Sequence, residues 1–220
     1  MIILENITKT YSTRRGSVQA LDDISLRIEK GKFVVIRGPS GSGKTTLLMI
    51  IAGMLRPTGG RAVVRQSDLF ELGLKGRAQF RADNIGFIFQ MFHLVPYLNI
   101  MENIALAGPA AGRKTDKTRL AALLNDFGLA GRVFHKPSQL SAGEKQRTAI
   151  ARALHNHPKI ILADEPTGNL DPENAHSVLA HLSNFHHQGG TVIVVTHGLE
   201  ADHYADRTIH ISNGRVENLG

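Results

Sequence analysis

Two short segments carry residue types that could do chemistry. The first is Gly38-Pro39-Ser40-Gly41-Ser42-Gly43-Lys44-Thr45-Thr46, which follows the β-branched run 33–37 and leads into an apolar stretch of helical spacing. Glycines in that order let the backbone curl until successive N–H groups face phosphate oxygens at the positive end of the following helix. Lys44 would then reach the β- and γ-phosphates, and Thr45 would offer its hydroxyl to a magnesium ion. The second is Ile160-Ile161-Leu162-Ala163-Asp164-Glu165, an apolar strand ending in two acids. Both carboxylates belong at the carboxyl edge of a sheet, where open α/β folds bind ligands. Asp164 suits the shell of Mg²⁺ and Glu165 the polarisation of an attacking water.

Positioning these groups requires parallel strands joined by helices. Strand-like runs recur at 2–7, 33–37, 61–64, 85–89, 160–163, 192–196 and 208–212, and helical periodicity at 44–52, 74–82, 100–107, 117–127, 142–154, 174–187 and 199–205. Strand signals stop between Pro96 and Leu154, where Gly108-Pro109-Ala110-Ala111-Gly112 interrupts the helices. Turn signals at Arg15-Gly16 and Gly59-Gly60 suggest an antiparallel β edge near the amino end. The expectation is an α/β fold: a phosphate-loop NTPase core with a mainly parallel sheet, an N-terminal antiparallel edge and an inserted helical subdomain. One domain would span 1–220, with 1–95 and 155–220 as the nucleotide-binding core and 96–154 as the helical part.

The 220 residues contain no cysteine, which excludes thiol catalysis, cysteine-ligated metals and disulfide staples. The longest apolar run, 47–55, is interrupted by Gly53 and falls short of the roughly 20 residues a membrane helix needs. The start, Met1-Ile2-Ile3-Leu4-Glu5, lacks the pattern of a cleaved signal, so a cytoplasmic location is expected. A formal charge of +7 favours polyanionic partners. Four of the eleven histidines, His155, His157, His186 and His187, lack a third ligand at suitable spacing and are expected to be solvated rather than metal-bound.

Leu140-Ser141-Ala142-Gly143-Glu144-Lys145-Gln146-Arg147 reads first as a capping box, Ser141 as N-cap and Glu144 three residues on. A serine, a glycine and a bare helix start also make a second anion site. With this segment the chain resembles the ATP-binding subunits of ATP-binding-cassette (ABC) proteins, whose signature Leu-Ser-Gly-Gly-Gln is here Leu140-Ser141-Ala142-Gly143-Glu144. Tyr11 stands where that family has its adenine-stacking aromatic, Gln90 where a glutamine follows a strand, Asp171 at the end of Gly168-Asn169-Leu170-Asp171, and His197 where a switch histidine contacts the γ-phosphate. The likeness runs from about Met1 to Val216.

The resemblance implies that two subunits sandwich two ATP molecules, each held by the phosphate loop of one chain and by Ser141, Ala142, Gly143 and Glu144 of the other. It implies Thr45, Gln90 and, through water, Asp164 as Mg²⁺ ligands, Glu165 and His197 as catalytic residues, and Asp171 in a dimer loop. It also implies an integral-membrane permease partner docked near 90–97, and a peripheral position on the cytoplasmic face of the inner (plasma) membrane. Residues 84–90 and 163–171 are most similar to the branch of lipoprotein-releasing, macrolide-exporting and other mechanotransmitting systems, with a cell-division member also similar. Three departures stand out: Ala142 for glycine, Glu144 for glutamine, and Gly198 where an aspartate often follows the histidine. The alternative is a stand-alone ABC ATPase acting on nucleic acid or a cell-division membrane complex without transport, but only about a hundred residues, without heptads, separate loop and signature, so no specific nucleic acid is expected. A small-molecule kinase would leave 140–147 unexplained.

Overall fold

The computed structural model describes residues 1–13, 16–110 and 112–217; Arg15 of the expected turn and Ala111 of the expected helix break lie outside them. Along the chain run β1 (Ile2–Thr13), β2 (Gly16–Ile28), β3 (Phe33–Arg37), α1 (Lys44–Ile51), β4 (Gly59–Val64), β5 (Ser67–Asp68), α2 (Leu74–Asn84), β6 (Ile85–Ile88), α3 (Ile100–Ala105), α4 (Ala107–Ala110), α5 (Lys117–Asp126), α6 (Ala142–Leu154), β7 (Ile160–Asp164), α7 (Pro172–His187), β8 (Thr191–Thr196), β9 (Arg207–Ser212) and β10 (Arg215–Glu217).

The central sheet has the order β10-β9-β3-β8-β7-β6. All pairs from β9 to β6 are parallel, and β10 closes one edge antiparallel. Strand alternation sends Val34, Ile36, Leu162, Ile193 and Val195 to one face, against Leu47, Leu48, Ile50 and Ile51 of α1. Phe33, Val35, Ile161, Ala163, Val192 and Val194 face the other way, against α3, α5, α6 and α7. Burial on both faces explains why these strands are nearly continuous apolar runs, and why each buried side chain contributes about 1.5–3 kcal/mol of transfer free energy.

The amino-terminal strands form the expected antiparallel β edge as a sheet of their own, β2-β1-β4-β5, packed beside the parallel one, with Ile2, Leu4 and Ile24 in one cluster with Ile36 and Val195. Strand β2 was not among the expected runs. Its inward residues Leu21, Ile24, Leu26 and Ile28 are separated by polar ones, and Asp23, at φ 55, interrupts the alternation. Gly59-Gly60 is not a turn but opens β4. Gly60 has φ 86, and a Cβ there would lie 2.4 Å from the carbonyl oxygen of Asn6, so glycine permits the close approach of β1. The helix expected at 199–205 is a 3₁₀ helix, Glu200–Tyr204. Between 96 and 154 the described residues hold helices and no strand. The end of α6 nonetheless packs into the core: Ile150, Ala151 and Leu154 share a cluster with Ile88 and Ile161.

Candidate active site

Four neighbouring parallel strands end on the same side of the sheet, and each delivers one part of the site. Strand β3 runs into Gly38–Thr46, β8 into His197, β7 into Asp164 and Glu165, and β6 into Gln90. Together Ser40, Gly41, Ser42, Gly43, Lys44, Thr45, Thr46, Gln90, Glu165 and His197 line one cavity of about 460 Å³. The two chemical segments, more than a hundred residues apart in the chain, therefore meet as the resemblance requires.

The loop's shape depends on two glycines. A Cβ at Gly38 would lie 1.9 Å from the carbonyl oxygen of Ile211, and one at Gly43, where φ is 101, 2.3 Å from that of Ala20. Gly43 is also the N-cap of α1 and supplies no side chain to its first turn, which leaves that helix end to an anion. Lys44 is buried, and its Nζ donates to the carbonyl oxygens of Gly38 (2.7 Å) and Pro39 (2.8 Å). These bonds curl the loop around its own cation.

Thr45 Oγ1 donates to Asp164 Oδ1 at 3.0 Å, across 119 residues of sequence. Burial pushes the Asp164 carboxyl above its usual range, opposed by the Thr45 hydrogen bond and reinforced by the neighbouring Glu165 charge. A hydroxyl and a desolvated carboxylate side by side are hard oxygen donors of the kind Mg²⁺ takes, and a cation there would offset the cost of burying Asp164. The set fits that metal. Glu165 has φ 44, left-handed for a residue with a side chain, a conformation costing about 1–2 kcal/mol. Its amide donates to Val195 O at 2.9 Å, its Oε1 lies 2.9 Å from His197 Nδ1, and its Oε2 is buried without a partner among the described residues. A left-handed backbone and a buried oxygen without a partner coincide at this one residue.

Tyr11 lies beside the cavity and does not line it. Its hydroxyl is 3.4 Å from Thr46 Oγ1, the residue is 38% exposed, and Lys9 Nζ sits 5.2 Å from the ring centroid. The signature residues are not in the cavity either. Ser141 caps α6, accepting from the Glu144 amide at 3.2 Å, while Glu144 Oε2 accepts from the Ser141 amide at 2.8 Å. That backbone bond, followed by the Ser141 hydroxyl and the nearby Arg132 and Arg147, holds the Glu144 carboxyl below its usual range against the effect of burial. Glu144 thus turns back into the capping box, as its spacing suggested. Ser141 and Ala142 are exposed, and Gly143 is buried.

Asn174 joins the signature to the loop before α7. A Cβ on Gly143 would lie 2.2 Å from Asn174 Oδ1, which accepts from Arg147 Nη1 at 2.9 Å, and Asn174 Nδ2 donates to Asp171 Oδ2 at 2.7 Å. Asp171 itself caps α7 by accepting from the Asn174 amide at 2.9 Å, with Pro172 opening the helix. Buried Gln146 donates to Pro166 O at 2.7 Å, tying α6 to the turn after Glu165. The missing aspartate after His197 is replaced by backbone contacts. Gly198 N donates to Thr196 Oγ1 at 3.0 Å, and Gly198 O accepts from Arg37, whose Nε lies 3.2 Å from Asp202. Asn174, Gln146 and Arg37 carried no signal of their own in the sequence, because their roles come from partners distant along the chain.

Two histidines expected to be solvated are not. His155 is 3% exposed, and burial lowers its affinity for a proton; His186 Nε2 lies 3.0 Å from Gly31 O and 3.2 Å from Asp206. Both sit where a helix end meets the core, which spacing alone does not reveal. No group of three or more metal-binding side chains occurs among the described residues.

Comparison with known proteins decides between the readings that a phosphate loop leaves open. The ABC transporter family matches residues 21–168, from β2 through the phosphate loop and signature to the acidic strand. The chain belongs to the ABC transporter family. Over 98% of its length this ABC cassette is 43% identical to the macrolide export ATP-binding/permease protein MacB of Sodalis glossinidius, of which it spans 33%. It is 42% identical, over 97% of its length and 95% of the relative's, to the lipoprotein-releasing system ATP-binding protein LolD of Hyphomonas neptunium. Its structure superposes with a TM-score of 0.93 on the dimeric post-hydrolysis state of the ATP-binding cassette MJ0796 bound to ADP and Pi, at 39% identity, covering 99% of this chain and 97% of that one. No helix among the described residues of the ABC chain is long and apolar enough to cross a membrane.

Proposed function

We propose that this ABC ATPase pairs with a second copy around two ATP molecules and drives a membrane permease or mechanotransmitting exporter from the cytoplasmic face of the inner (plasma) membrane. The observation that carries the reading is that Thr45, Glu165 and His197 line the phosphate-loop cavity together, with Asp164 hydrogen-bonded to Thr45 and His197 paired with Glu165. Gly38 to Thr46 bind the phosphates, with Lys44 exchanging loop carbonyls for β- and γ-oxygens, and Tyr11 takes the adenine. Thr45, Gln90 and, through water, Asp164 hold Mg²⁺, which offsets phosphate charge when bound. Glu165 orients and polarises the attacking water, and His197 fixes its Oε1 and faces the γ-phosphate.

Ser141, Ala142, Gly143 and Glu144 act on the ATP of the opposite copy, whose approach Asp171 guides. Loss of the γ-phosphate removes the group both chains hold, and the copies separate. In this reading 1–95 and 155–220 form the nucleotide-binding core, 96–154 is the helical part that carries the signature to the second copy, and the permease docks near 90–97. The relatives named for macrolide export and lipoprotein release support an export or extraction task.

The test is co-purification of Glu165→Gln from detergent-solubilised native membranes with and without Mg-ATP, followed by mass spectrometry. Recovery of a multi-span membrane protein is expected. Recovery of soluble proteins or nucleic acid alone, under conditions where a known permease complex survives, overturns the membrane assignment.

A further inference from the structure

Arg152 lies on α6, eleven residues after Ser141 and thus about 16 Å along the helix axis. Its Nη1 donates to the carbonyl oxygen of His93 at 2.6 Å and its Nη2 to that of Phe92 at 2.7 Å. It has no carboxylate partner among the described residues. Phe92 and His93, at φ 58 and 47, are consecutive left-handed residues with side chains. From the other side buried Asn103 of α3 accepts from the Val95 amide at 2.7 Å and donates to the carbonyl oxygens of Val95 (3.2 Å), Leu98 (3.0 Å) and Asn99 (3.0 Å). The segment so held begins immediately after Gln90, which lines the phosphate-loop cavity.

Neither half of this arrangement is favourable alone. Two successive left-handed residues other than glycine are not a local preference of the chain. A guanidinium that is partly buried on the helix also needs partners for the donors turned away from water. Each supplies what the other lacks, so the clasp is either closed as a unit or open. We propose that Arg152, with Asn103, is a positioning residue for hydrolysis: it locks the segment after Gln90 to the helix that starts at Ser141, so that the two move as one body. The inference rests on the proposed function, in which Ser141 serves the ATP of the opposite copy. Engagement of one ATP by the signature is then transmitted along α6, through Arg152, to the Gln90 that serves the other ATP, without passing through the permease.

Hydrogen–deuterium exchange tests this in the full chain, comparing Glu165→Gln alone with Glu165→Gln carrying Arg152→Met or Arg152→Lys. In nucleotide-free protein Arg152→Met should raise exchange of amides 92–98 by about tenfold, with Arg152→Lys in between. Mg-ATP should protect these amides in Glu165→Gln and leave them unprotected when Arg152→Met is added. With Glu165 intact, Arg152→Met should lower kcat by about tenfold while KM for Mg-ATP stays within about twofold. Unchanged exchange at 92–98, or equal protection by ATP with and without Arg152, overturns the proposal. Faster exchange spreading to β3 and β7 also overturns it, since Arg152 would then serve the fold at large. If Glu165→Gln binds no ATP, the ATPase reading fails, while exchange in nucleotide-free protein still decides whether the clasp exists.

Discussion

Replacing Glu165 separates catalysis from binding and from backbone strain. Glutamine keeps the shape and an acceptor for His197 Nδ1, now 2.9 Å from Oε1, but cannot take up a proton from water. Removing a positioned acid–base group costs about 10²–10⁴ in rate, or about 2.7–5.5 kcal/mol of transition-state stabilisation. It also removes a negative charge that raises the Asp164 carboxyl, so ATP binding should persist or tighten. Glu165→Gly abolishes hydrolysis as well but relieves the left-handed φ of 44. The relief, about 1–2 kcal/mol, outweighs glycine's extra chain entropy of about 0.5–1 kcal/mol, so the glycine variant should unfold at higher urea than Glu165→Ala, which loses the same contacts and keeps the strain. Single-turnover phosphate release measures the first effect, fluorescent-nucleotide titration the second and urea unfolding the third. Near-normal turnover in Glu165→Gln refutes the catalytic assignment, and a glycine variant less stable than the alanine one refutes the strain.

Lys44→Ala removes the cation that curls the loop and meets the phosphates; calorimetric titration should show ATP binding lost. Ser141→Ala should cost about 1 kcal/mol in urea unfolding, the usual worth of an N-cap, and should also prevent ATP-driven pairing. Because the Glu144 carboxyl is held below its usual range, its charge stabilises the fold above that range and the contribution is lost as pH falls through the lowered value. Glu144→Gln should therefore be less stable than the unaltered protein near neutrality and indistinguishable from it in strong acid, as read by unfolding across pH. A DNA-binding protein with six or more phosphate contacts loses about 10³ in affinity between 50 and 200 mM salt; this chain should bind duplex DNA weakly at either salt, checked by filter binding.

What was legible in the sequence was local. The phosphate loop, the acidic strand end and the Ser141–Glu144 box are contiguous, and the dihedral and hydrogen-bonding needs of each are met within a few residues. Strand β2 escaped notice because half of it faces water and Asp23 breaks its alternation. Gly59-Gly60 looked like a turn because glycine answers equally to a reversal and to a close backbone neighbour, here Asn6. Arg37, which holds Gly198 and Asp202, and Arg152, which holds Phe92 and His93, are ordinary basic residues until the fold places carbonyls in front of them. The burial of His155 and the pairing of His186 with Asp206 leave no mark in the sequence for the same reason, being properties of packing and not of spacing.

In the proposed cycle ATP joins two copies, with Ser141 of each completing the site of the other. Light scattering during gel filtration of Glu165→Gln measures this most directly. Monomers are expected without nucleotide, dimers with Mg-ATP at one ATP per chain, and monomers again when Ser141→Ala is added. Glu165→Gln that stays monomeric with ATP bound, or dimers that form equally well without ATP or without Ser141, would contradict it.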